Sequence, residues 1–363
     1  MNRLSPPPIA VLFVALLTGL VACAGSTQKP GAPYHHTTSG FRNPPGSPER
    51  GSFWERAPWL LTTPFRLSGR GDVVVPDDHV VPPAEALAAF DSAAGQDTIT
   101  WIGHMTALMR IDGAVVLTDP WFTEYATPVP PLGPKRVVPP GLAIDDLPPI
   151  DVVVISHSHY DHLDLPTIEM LPNKDRITAV VPLRLGRYFR ERGYEKVIEL
   201  DWYEETEVAG LTFTALPVIH WSKRSLFRTN DTLWASFAIE ARNGLRVYFG
   251  GDAEYGPVYR EVNQRAGGFD VALISIGAFL PRAVMNGAHC VPDPCMQLAL
   301  DLNSHTLVGM HWGTVRLGDD GFLEPAERFR AAGRKRGLPD ERVWLMRIGE
   351  TRVLPRRPGV ATQ

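Results

Sequence analysis

The sequence predicts an α/β fold in which the functional residues follow the carboxyl ends of strands. An apolar, β-branched run at residues 152–155 leads directly into a polar hexamer, HSHYDH, at residues 157–162. Such a run is typical of a buried strand that ends in a loop. In addition, three later apolar runs each end in one polar residue, and open α/β sheets place their sites at such strand ends.

The amino terminus indicates secretion followed by lipid attachment. Arg3 precedes a short apolar run at residues 9–17, which is typical of a secretory signal and too short to span a membrane as a mature helix. Cys23 follows the residues LVA and resembles the lipidated cysteine of bacterial lipoproteins, although an unlipidated signal with a chance cysteine is the alternative. We therefore expect a signal peptide over residues 1–22 and a lipid-anchored protein of the bacterial cell envelope, on the periplasmic face of the outer membrane or at the cell surface.

Composition divides the remaining chain into a tether and a domain. Residues 23–50 are rich in proline, glycine and serine, which predicts a flexible tether. Residues 51–363 are predicted to form a single hydrolase domain, because the chain has 363 residues, is 44% hydrophobic and can bury a full core. The net charge of −4 gives no electrostatic reason to expect a nucleic-acid partner.

Besides Cys23, the chain has two cysteines, Cys290 and Cys295. An oxidising compartment would permit a disulfide between them. Their spacing cannot show whether the two Cα atoms approach within bonding distance, so the bond is left open. The spacing does not match a zinc ribbon, which makes thiolate ligation the weaker interpretation.

Taken in order, the predicted elements begin with a β-meander. Residues 98–102, 107–111 and 114–117 predict strands, and the Asp-Gly pair at 112–113 predicts a tight turn between the last two. A proline-rich loop at residues 128–149 then leads to the strand before the hexamer. The next elements are a helix, a strand and a helix at residues 165–171, 178–181 and 184–192.

The hexamer is a candidate metal site. In an extended segment alternate side chains face the same way, so His157 and His159 can bind one ion. Asp161 and His162 lie beyond the bend and can reach a second ion. Imidazoles and a carboxylate are ligands that suit Zn²⁺. A solvated histidine-rich loop is the alternative, but imidazoles packed this densely would repel one another once protonated.

Three later strands each deliver one further candidate ligand. The apolar runs at residues 211–219, 246–249 and 306–310 end, directly or through two glycines, at His220, Asp252 and His311. Any one of these alone would be more typical of a core histidine or a capping aspartate. Together with the hexamer they complete two metal shells. The first comprises His157, His159 and His220, the second comprises Asp161, His162 and His311, and Asp252 bridges the two.

These residues, in this order and spacing, resemble the metallo-β-lactamase superfamily. The resemblance implies an αββα four-layer sandwich, an α/β (α+β) fold with a dinuclear metal site. Flanking motifs resemble the branch of N-acylphosphatidylethanolamine-hydrolysing phospholipases D, over roughly residues 95–330, with a weaker hint at residues 41–44. The motifs are WIGH at 101–104, LTDP at 117–120, GPKR at 133–136, HWSKR at 220–224, IGA at 276–278, HWGT at 311–314 and LEP at 323–325.

The resemblance implies two Zn²⁺ ions, or other divalent metals, which would supply a bridging hydroxide near neutral pH. Asp252 would hold this bridge, and Asp161 is assigned with it to the catalytic group. His289 resembles a family histidine near the substrate, so we expect it to bind substrate or protonate the leaving group. His104 and Asp119 are expected to orient ligand imidazoles, or else to be simple turn and core polar residues.

The expected activity is that of a phosphodiesterase of phospholipase D type acting on N-acylphosphatidylethanolamine-like phospholipids. Trp221, Lys223 and Arg224 follow a ligand directly and could form an amphipathic rim for a lipid phosphate, or could cap the strand and face solvent. The expected partners are a phospholipid or other small phosphodiester, and the membrane through the lipid anchor. The alternatives are a zinc lactonase or other carbonyl hydrolase and, less favoured, a catalytically silent binding lipoprotein.

Overall fold

The computed structural model describes residues 27–68, 73–225 and 227–358. The predicted signal peptide and the predicted lipidation site Cys23 lie outside these residues, so both stay predictions. Across the described ranges, no helix combines the length and the apolar content that crossing a membrane requires.

One sheet is built from the first part of the chain and extended by its last strand. In the described residues its order is β14-β1-β2-β3-β4-β5-β6, antiparallel as far as β3 and parallel from β3 to β6. Its strands are β1 (Thr98–Gly103), β2 (Thr106–Ile111), β3 (Ala114–Thr118), β4 (Val152–Val154), β5 (Thr178–Pro182), β6 (Lys196–Leu200) and β14 (Thr351–Val353). The predicted β-meander is confirmed, and Asp112 and Gly113 both have the positive φ angles that a two-residue hairpin turn requires.

The second sheet repeats this layout with the later part of the chain. Its order across the described residues is β13-β12-β11-β10-β9-β8-β7, antiparallel from β7 to β10 and parallel from β10 to β13. Its strands are β7 (Glu205–Val208), β8 (Leu211–Leu216), β9 (Ser236–Ala241), β10 (Arg246–Phe249), β11 (Phe269–Ser275), β12 (Ser304–Met310) and β13 (Val343–Trp344). Because β4, β8, β10 and β12 each precede predicted metal ligands, the two sheets bring those residues to one end of the fold.

Helices connect the strands and cover the outer faces of the sheets. They are α1 (Phe53–Ser68), α2 (Pro83–Ser92), α3 (Leu165–Met170), α4 (Gly186–Arg190), α5 (Val258–Ala266), α6 (Arg282–Met285), α7 (Pro292–Asp301) and α8 (Glu324–Lys335), with 3-10 turns at Ile144–Asp146 and Asp340–Arg342. The helices predicted at 165–171 and 184–192 are confirmed as α3 and α4. The second sheet is covered by α7, which contacts β11 and β12 and packs between α5 and α8.

Side-chain alternation along the strands produces the layers. Val152 and Val154 of β4 pack into the core shared by the two sheets, whereas Val153 packs with Ile168 of α3 and Phe189 of α4 on the opposite face. Both faces of the first sheet are therefore apolar and buried. This arrangement confirms the αββα four-layer sandwich that the sequence resemblance implied.

The segment at residues 27–50 packs on the domain, which differs from the flexible tether predicted for residues 23–50. Phe41 is buried in the core between the sheets, and its backbone N–H donates to the carbonyl of Asn230 at 2.8 Å. The imidazoles of His35 and His36 each bond one oxygen of Asp201 through Nε2 at 2.6 Å. Proline and glycine content indicated an absence of regular structure correctly, but it could not reveal these specific contacts.

Candidate metal centre

The hexamer forms a turn at the end of β4. The backbone N–H groups of His162 and Leu163 both donate to the carbonyl of His159, at 3.2 and 2.9 Å, which bends the chain before α3 begins. The bend separates the two halves of the hexamer. His157 and His159 consequently face the strand end of β8, while Asp161 and His162 face that of β12.

The first ligand group comprises His157, His159, His220 and Asp252, whose donor atoms all lie within 4.8 Å of one another. His159 Nδ1 is 2.8 Å from His157 Nε2 and 3.3 Å from His220 Nε2. Asp252 Oδ2 lies 3.9 Å from His157 Nε2 and 3.8 Å from His220 Nε2. The structure thus brings together the four residues that the sequence assigned to the first ion.

The second ligand group comprises Asp161, His162, His311 and His104, again within 4.8 Å. Asp252 also reaches this group, because its two oxygens lie 3.1 Å from His162 Nε2 and 3.0 Å from His311 Nε2. The structure therefore places Asp252 between the two groups, where the sequence assigned it as a bridge. His104 joins the second group through Asp161 Oδ2, which lies 2.9 Å from its Nε2.

Three ligand imidazoles are oriented by hydrogen bonds made from Nδ1. His220 Nδ1 donates to the carbonyl of Ala288 at 2.9 Å, and His162 Nδ1 lies 2.7 Å from Asp119 Oδ2. His157 Nδ1 lies 2.9 Å from the hydroxyl oxygen of Ser156, whose own proton goes to Asp119. Each bond fixes a tautomer that leaves the lone pair of Nε2 pointing into the centre, as metal-bound histidines require.

The donor set fits divalent metal ions. Among the described residues, the buried Nε2 atoms of His162 and His311 make no well-aligned hydrogen bond, although oxygens of Asp252 lie 3.1 and 3.0 Å from them. Ions at about 2.0–2.2 Å from nitrogen and oxygen would satisfy these atoms. Unpaired buried polar groups are otherwise costly, so the geometry favours metal ions over a purely hydrogen-bonded network.

The electrostatics of the centre also fit cations. Burial holds the pKa of His157 and of His220 well below the usual value of 6.5, so both imidazoles are in the neutral form that binds metal. For His311, burial acts to lower the pKa, but the carboxylates of Asp252 and Asp161 outweigh it and raise the pKa to about 9. The two carboxylates therefore create a negative potential beside His311, and bound metal ions would neutralise it.

Three residues of the centre lie on left-handed backbone. The φ angles are 54° at His104, 33° at Asp119 and 65° at His311. Such conformations cost about 1–3 kcal/mol each for residues other than glycine and persist only where surrounding bonds hold them. Here the His104 N–H donates to Thr314 Oγ1 at 2.8 Å, and the His311 N–H donates to the His104 carbonyl at 3.0 Å. The fold thus holds these side chains in place at some cost in stability.

His289 faces the centre from the loop after α6. Its Nδ1 lies 3.9 Å from Asp252 Oδ2, and the loop is held because Arg282 donates to the His289 carbonyl and to Glu254, both at 2.5 Å. Burial lowers the pKa of His289 to about 3, so the imidazole is neutral at physiological pH.

The following residue, Cys290, is joined to Cys295 by a disulfide with a Cα–Cα distance of 5.5 Å, which answers the question that the spacing left open.

The three expected rim residues take different positions. Trp221 lies beside the centre, with its ring 4.5 Å from that of His159, and Lys223 lines the cavity above it. Arg224 is instead turned into the hexamer loop, where its Nη1 donates to the carbonyls of Ser158 and Leu163 at 2.9 and 2.7 Å. Its guanidinium therefore stabilises the metal loop, although the side chain also borders the cavity.

The sequence interpretation missed two residues of the centre, both in the segment at 27–50. Asn43 Oδ1 accepts from the backbone N–H of His220 at 3.0 Å and from Trp234 Nε1 at 3.1 Å. Arg50 stacks on Trp221, with 4.0 Å between its Cζ and the ring centroid, and lines the cavity. For Asn43, the sequence signal was the weaker family resemblance at residues 41–44. No motif singled out in the sequence contains Arg50.

A cavity of about 800 Å³ opens above the centre. Its floor carries metal-centre residues, including His159, Asp161 and Asp252, together with His289. Its walls are mostly apolar and come from α1, α6 and the proline-rich loop, through Trp59, Val129, Val284 and Met285. The centre therefore lies at the base of a pocket that suits an amphipathic ligand.

We expect the protein to bind about two metal ions per chain. Two four-residue groups meet at Asp252, and their combined ligands exceed the three or four that one zinc accepts. Elemental analysis of protein purified without chelator gives the stoichiometry, and chelator-treated protein reloaded with zinc is the control. A stoichiometry that stays at one in excess zinc would mean that the second group does not assemble.

Comparison with known proteins supports the assignment made from geometry. Residues 115–312 match the family described as the beta-lactamase superfamily domain. An uncharacterised protein of Mycobacterium tuberculosis is 39% identical over 255 residues, which cover 69% of this chain and 68% of that protein. N-acyl-phosphatidylethanolamine-hydrolyzing phospholipase D 1 of Caenorhabditis elegans is 35% identical over 243 residues, covering 64% of this chain and 68% of that protein. The mitochondrial enzyme of that name from Saccharomyces cerevisiae is 32% identical, with 69% and 55% covered.

Solved structures share the fold at low sequence identity. A possible metal-dependent hydrolase of Veillonella parvula has a TM-score of 0.57 at 18% identity and covers 72% of this chain and 100% of its own. Igni18, a metallo hydrolase of Ignicoccus hospitalis, has a TM-score of 0.53 at the same identity and coverage. These likenesses agree with the four-layer fold described above. The chain therefore belongs to the metallo-β-lactamase superfamily as a metal-dependent hydrolase, with N-acylphosphatidylethanolamine-hydrolysing phospholipases D among its relatives.

Proposed function

We propose that the protein is a zinc-dependent phosphodiesterase of phospholipase D type that hydrolyses N-acylphosphatidylethanolamine-like phospholipids. The observation that carries this proposal is the mostly apolar cavity above the metal ligands, which has cationic side chains in its wall. A phospholipid combines a charged phosphodiester with long apolar chains, so its two parts match the floor and the walls. The names of the worm and yeast relatives support the same substrate class.

The chain provides the residues that would hold two zinc ions. The first group of ligands would hold one ion, the second group the other, and Asp252 can reach both. When bound, such ions supply Lewis acidity for a phosphoryl oxygen and lower the pKa of water towards neutrality. His289 faces the same space and, as a neutral imidazole, can exchange a hydrogen bond with the substrate.

Arg50 is the residue best placed to bind the phosphate. Its Nε is buried and finds no hydrogen-bond acceptor among the described residues. Burial, and then the charge of Arg56, lower the pKa of Arg50 to about 10, so the guanidinium remains charged at neutral pH. A guanidinium that lines the cavity and has one nitrogen, Nε, without an acceptor is suited to a phosphodiester oxygen.

Arg50→Gln should reduce kcat/KM for a phospholipid substrate about ten- to a hundredfold, because it removes a charge-assisted contact of about 1–3 kcal/mol. Hydrolysis of a small neutral ester should change little, because that substrate lacks the anionic oxygen. Arg56→Gln, one turn into α1, is the matched control and should leave both activities near wild type. Arg224→Gln should instead weaken both activities equally, because Arg224 holds the metal loop.

A hydrolysis screen with zinc-reconstituted protein tests the substrate class. The substrates are an N-acylphosphatidylethanolamine, a soluble phosphodiester, a lactone and a β-lactam. We expect the phospholipid to be turned over fastest, with its phosphorus–oxygen bond cleaved to release the N-acylethanolamine. Lactone turnover well above phosphodiester turnover would instead support the carbonyl hydrolase considered from the sequence.

We also propose that the protein is anchored to the cell envelope through a lipid on Cys23. The support is the LVAC sequence after the apolar run. Two or more acyl chains hold a protein stably on a membrane, whereas one chain is marginal. Cys23→Ser should therefore shift the protein from the membrane fraction to the soluble fraction when the membranes are washed at high salt, which screens electrostatic attachment. Unchanged fractionation, with no lipid found by mass spectrometry of the wild type, would contradict the anchor.

A further inference from the structure

We propose that the mouth of the cavity carries a docking surface for an anionic lipid bilayer. This mouth surface comprises three apolar side chains, Val129, Leu132 and Phe227, and three arginines, Arg184, Arg187 and Arg228. It lies outside the metal ligands and, apart from Val129, which also lines the cavity wall, outside the residues assigned above to substrate binding.

Two loops contribute residues to the cavity, and we call them the two lips of its mouth. One is the proline-rich loop, in which Pro128 and Val129 line the cavity. The other is the turn between Lys223 and Thr229, which pair as an isolated antiparallel bridge, and here Ser225 lines the cavity. Side chains at the tips of these two loops therefore flank the opening through which a ligand enters.

Both lips present large apolar side chains to solvent. Phe227 is 95% exposed, Leu132 is 70% exposed and Val129 is 59% exposed. Single exposed apolar residues are ordinary on protein surfaces. Here, however, they lie on the two loops that also line the apolar cavity, so a hydrocarbon phase that contacts these loops would adjoin the cavity wall.

A cationic groove of about 340 Å³ adjoins the second lip. Phe227 lines this groove together with Arg184, Arg187 and Arg228, all of them exposed. Asp231 is the acidic residue of the groove lining, and it lies 4.0 Å from Arg187, while Arg184 donates to its backbone carbonyl. Three guanidinium groups against one carboxylate leave an excess of positive charge. The aromatic tip and the cations therefore form one surface.

Charge complementarity selects an anionic bilayer as the occupant. The whole chain has a net charge of −4, so long-range attraction to an anionic membrane must come from a local cluster such as this groove. Arginine forks bind lipid phosphates, and the adjacent phenylalanine can insert at the headgroup level. A free phosphate ion would use only the arginines, which are exposed and therefore screened by salt.

Docking in this orientation would present the cavity mouth to the bilayer. A lipid could then move from the membrane into the apolar cavity without its acyl chains crossing water. This consequence rests on the proposed function, whereas the docking itself does not.

Vesicle sedimentation tests the proposal. The full chain is used with Cys23→Ser in every arm, so that lipidation contributes to none of them. The probes are vesicles of phosphatidylcholine alone and vesicles that also contain phosphatidylglycerol. We expect binding to increase with phosphatidylglycerol and to decrease with salt. Phe227→Ser should weaken binding about tenfold, and replacing the three arginines with glutamine should weaken it about tenfold or more.

Matched variants separate the mouth surface from general surface effects. Met170→Ser removes an exposed apolar side chain from α3 and is the control for Phe227→Ser. A triple variant, Arg328→Gln, Arg330→Gln and Arg334→Gln, removes three arginines from α8 and is the control for the groove arginines. Both control variants should bind vesicles like the parent. Replacing the three groove arginines with lysine should preserve most of the binding, because the charge remains. All mouth variants should hydrolyse a soluble phosphodiester at the parent rate.

The outcomes distinguish this proposal from the proposed function. Equal binding to both vesicle types, or mouth variants that bind like the parent, would overturn the docking surface. If the arginine variants lose binding of inorganic phosphate but still bind vesicles, the groove is a site for free phosphate and the docking surface is also overturned. Selective vesicle binding without phospholipid hydrolysis would retain the surface and reject the proposed substrate instead.

Discussion

Asp252→Asn should abolish hydrolysis of every substrate that the wild type accepts. The carboxylate has donor atoms of both ligand groups around it, with His162 and His311 at 3.1 and 3.0 Å and His157 and His220 at 3.8–3.9 Å. An amide cannot provide two anionic oxygens to two ions. Loss of a residue that hydrogen-bonds a metal ligand typically lowers metal affinity or activity about 10–100-fold. Asp252 is itself a ligand, so we expect activity to fall by more than about a hundredfold.

The same variant should lose metal. Elemental analysis should give about one ion per chain or fewer, measured on the samples used for kinetics. Asp270→Asn is the matched control, because Asp270 is equally buried but accepts from the backbone of Arg246 and Arg357, away from the centre. It should retain two ions and normal turnover. An Asp252→Asn protein with two ions and normal kcat/KM would contradict the bridging role.

Arg282→Met should produce a large loss of stability. Arg282 is the partner of Glu254, which is almost fully buried, and it also donates to Asn286 and to the His289 carbonyl. Removing one member of a buried ion pair costs about 3–5 kcal/mol, and we expect the lower end because a third of the Arg282 side chain is exposed. Urea unfolding of both proteins measures this free energy.

A double-mutant cycle identifies the cause. Arg282→Met with Glu254→Gln should recover part of the lost stability, because no unpaired carboxylate remains. Turnover should be low in Arg282→Met and should not recover in the double variant, because both lack the hydrogen bond from Arg282 to the His289 carbonyl. If Glu254→Gln does not improve the Arg282→Met protein, the ion pair is not the source of the loss.

The stability of Arg282→Met should also depend on pH. Burial already raises the pKa of Glu254 above its usual value, although Arg282 acts to lower it. Without Arg282 the folded-state pKa rises further above the unfolded-state value, so the folded protein binds the proton more tightly. The destabilisation should therefore be small below the unfolded-state pKa and should grow as the pH rises through the folded-state pKa. Urea unfolding at acidic and at neutral pH measures this difference.

The hexamer could be interpreted from sequence because its ligands are local. Three imidazoles and a carboxylate within six residues are difficult to accommodate except around metal ions, and the preceding apolar run indicates the strand that positions them. His220, Asp252 and His311 could be added because each ends a recognisable strand. Asp112 and Gly113 likewise predicted their hairpin from local conformational preference alone.

The residues that sequence reasoning missed act through distant contacts. Asn43 and His220 are 177 positions apart, and nothing near Asn43 indicates a partner. Arg50 follows a proline-rich stretch that is typical of a tether. Arg224 was placed beside the ligand correctly, but adjacency could not show that its guanidinium turns towards the carbonyls of Ser158 and Leu163. Side-chain direction and long-range pairing are properties of the assembled fold.

The attachment of Asn43 has a consequence for the order in which the protein folds. Contacts between residues far apart in sequence form slowly, because the intervening chain must first be organised. The pairing of β14 with β1 adds a second such contact, since it joins Val353 to Thr98. The hexamer turn is local and can form early, whereas the backbone of His220 gains its hydrogen bond to Asn43 only after the second sheet exists. Hydrogen exchange during refolding should therefore show protection of the Leu163 amide before protection of the His220 amide.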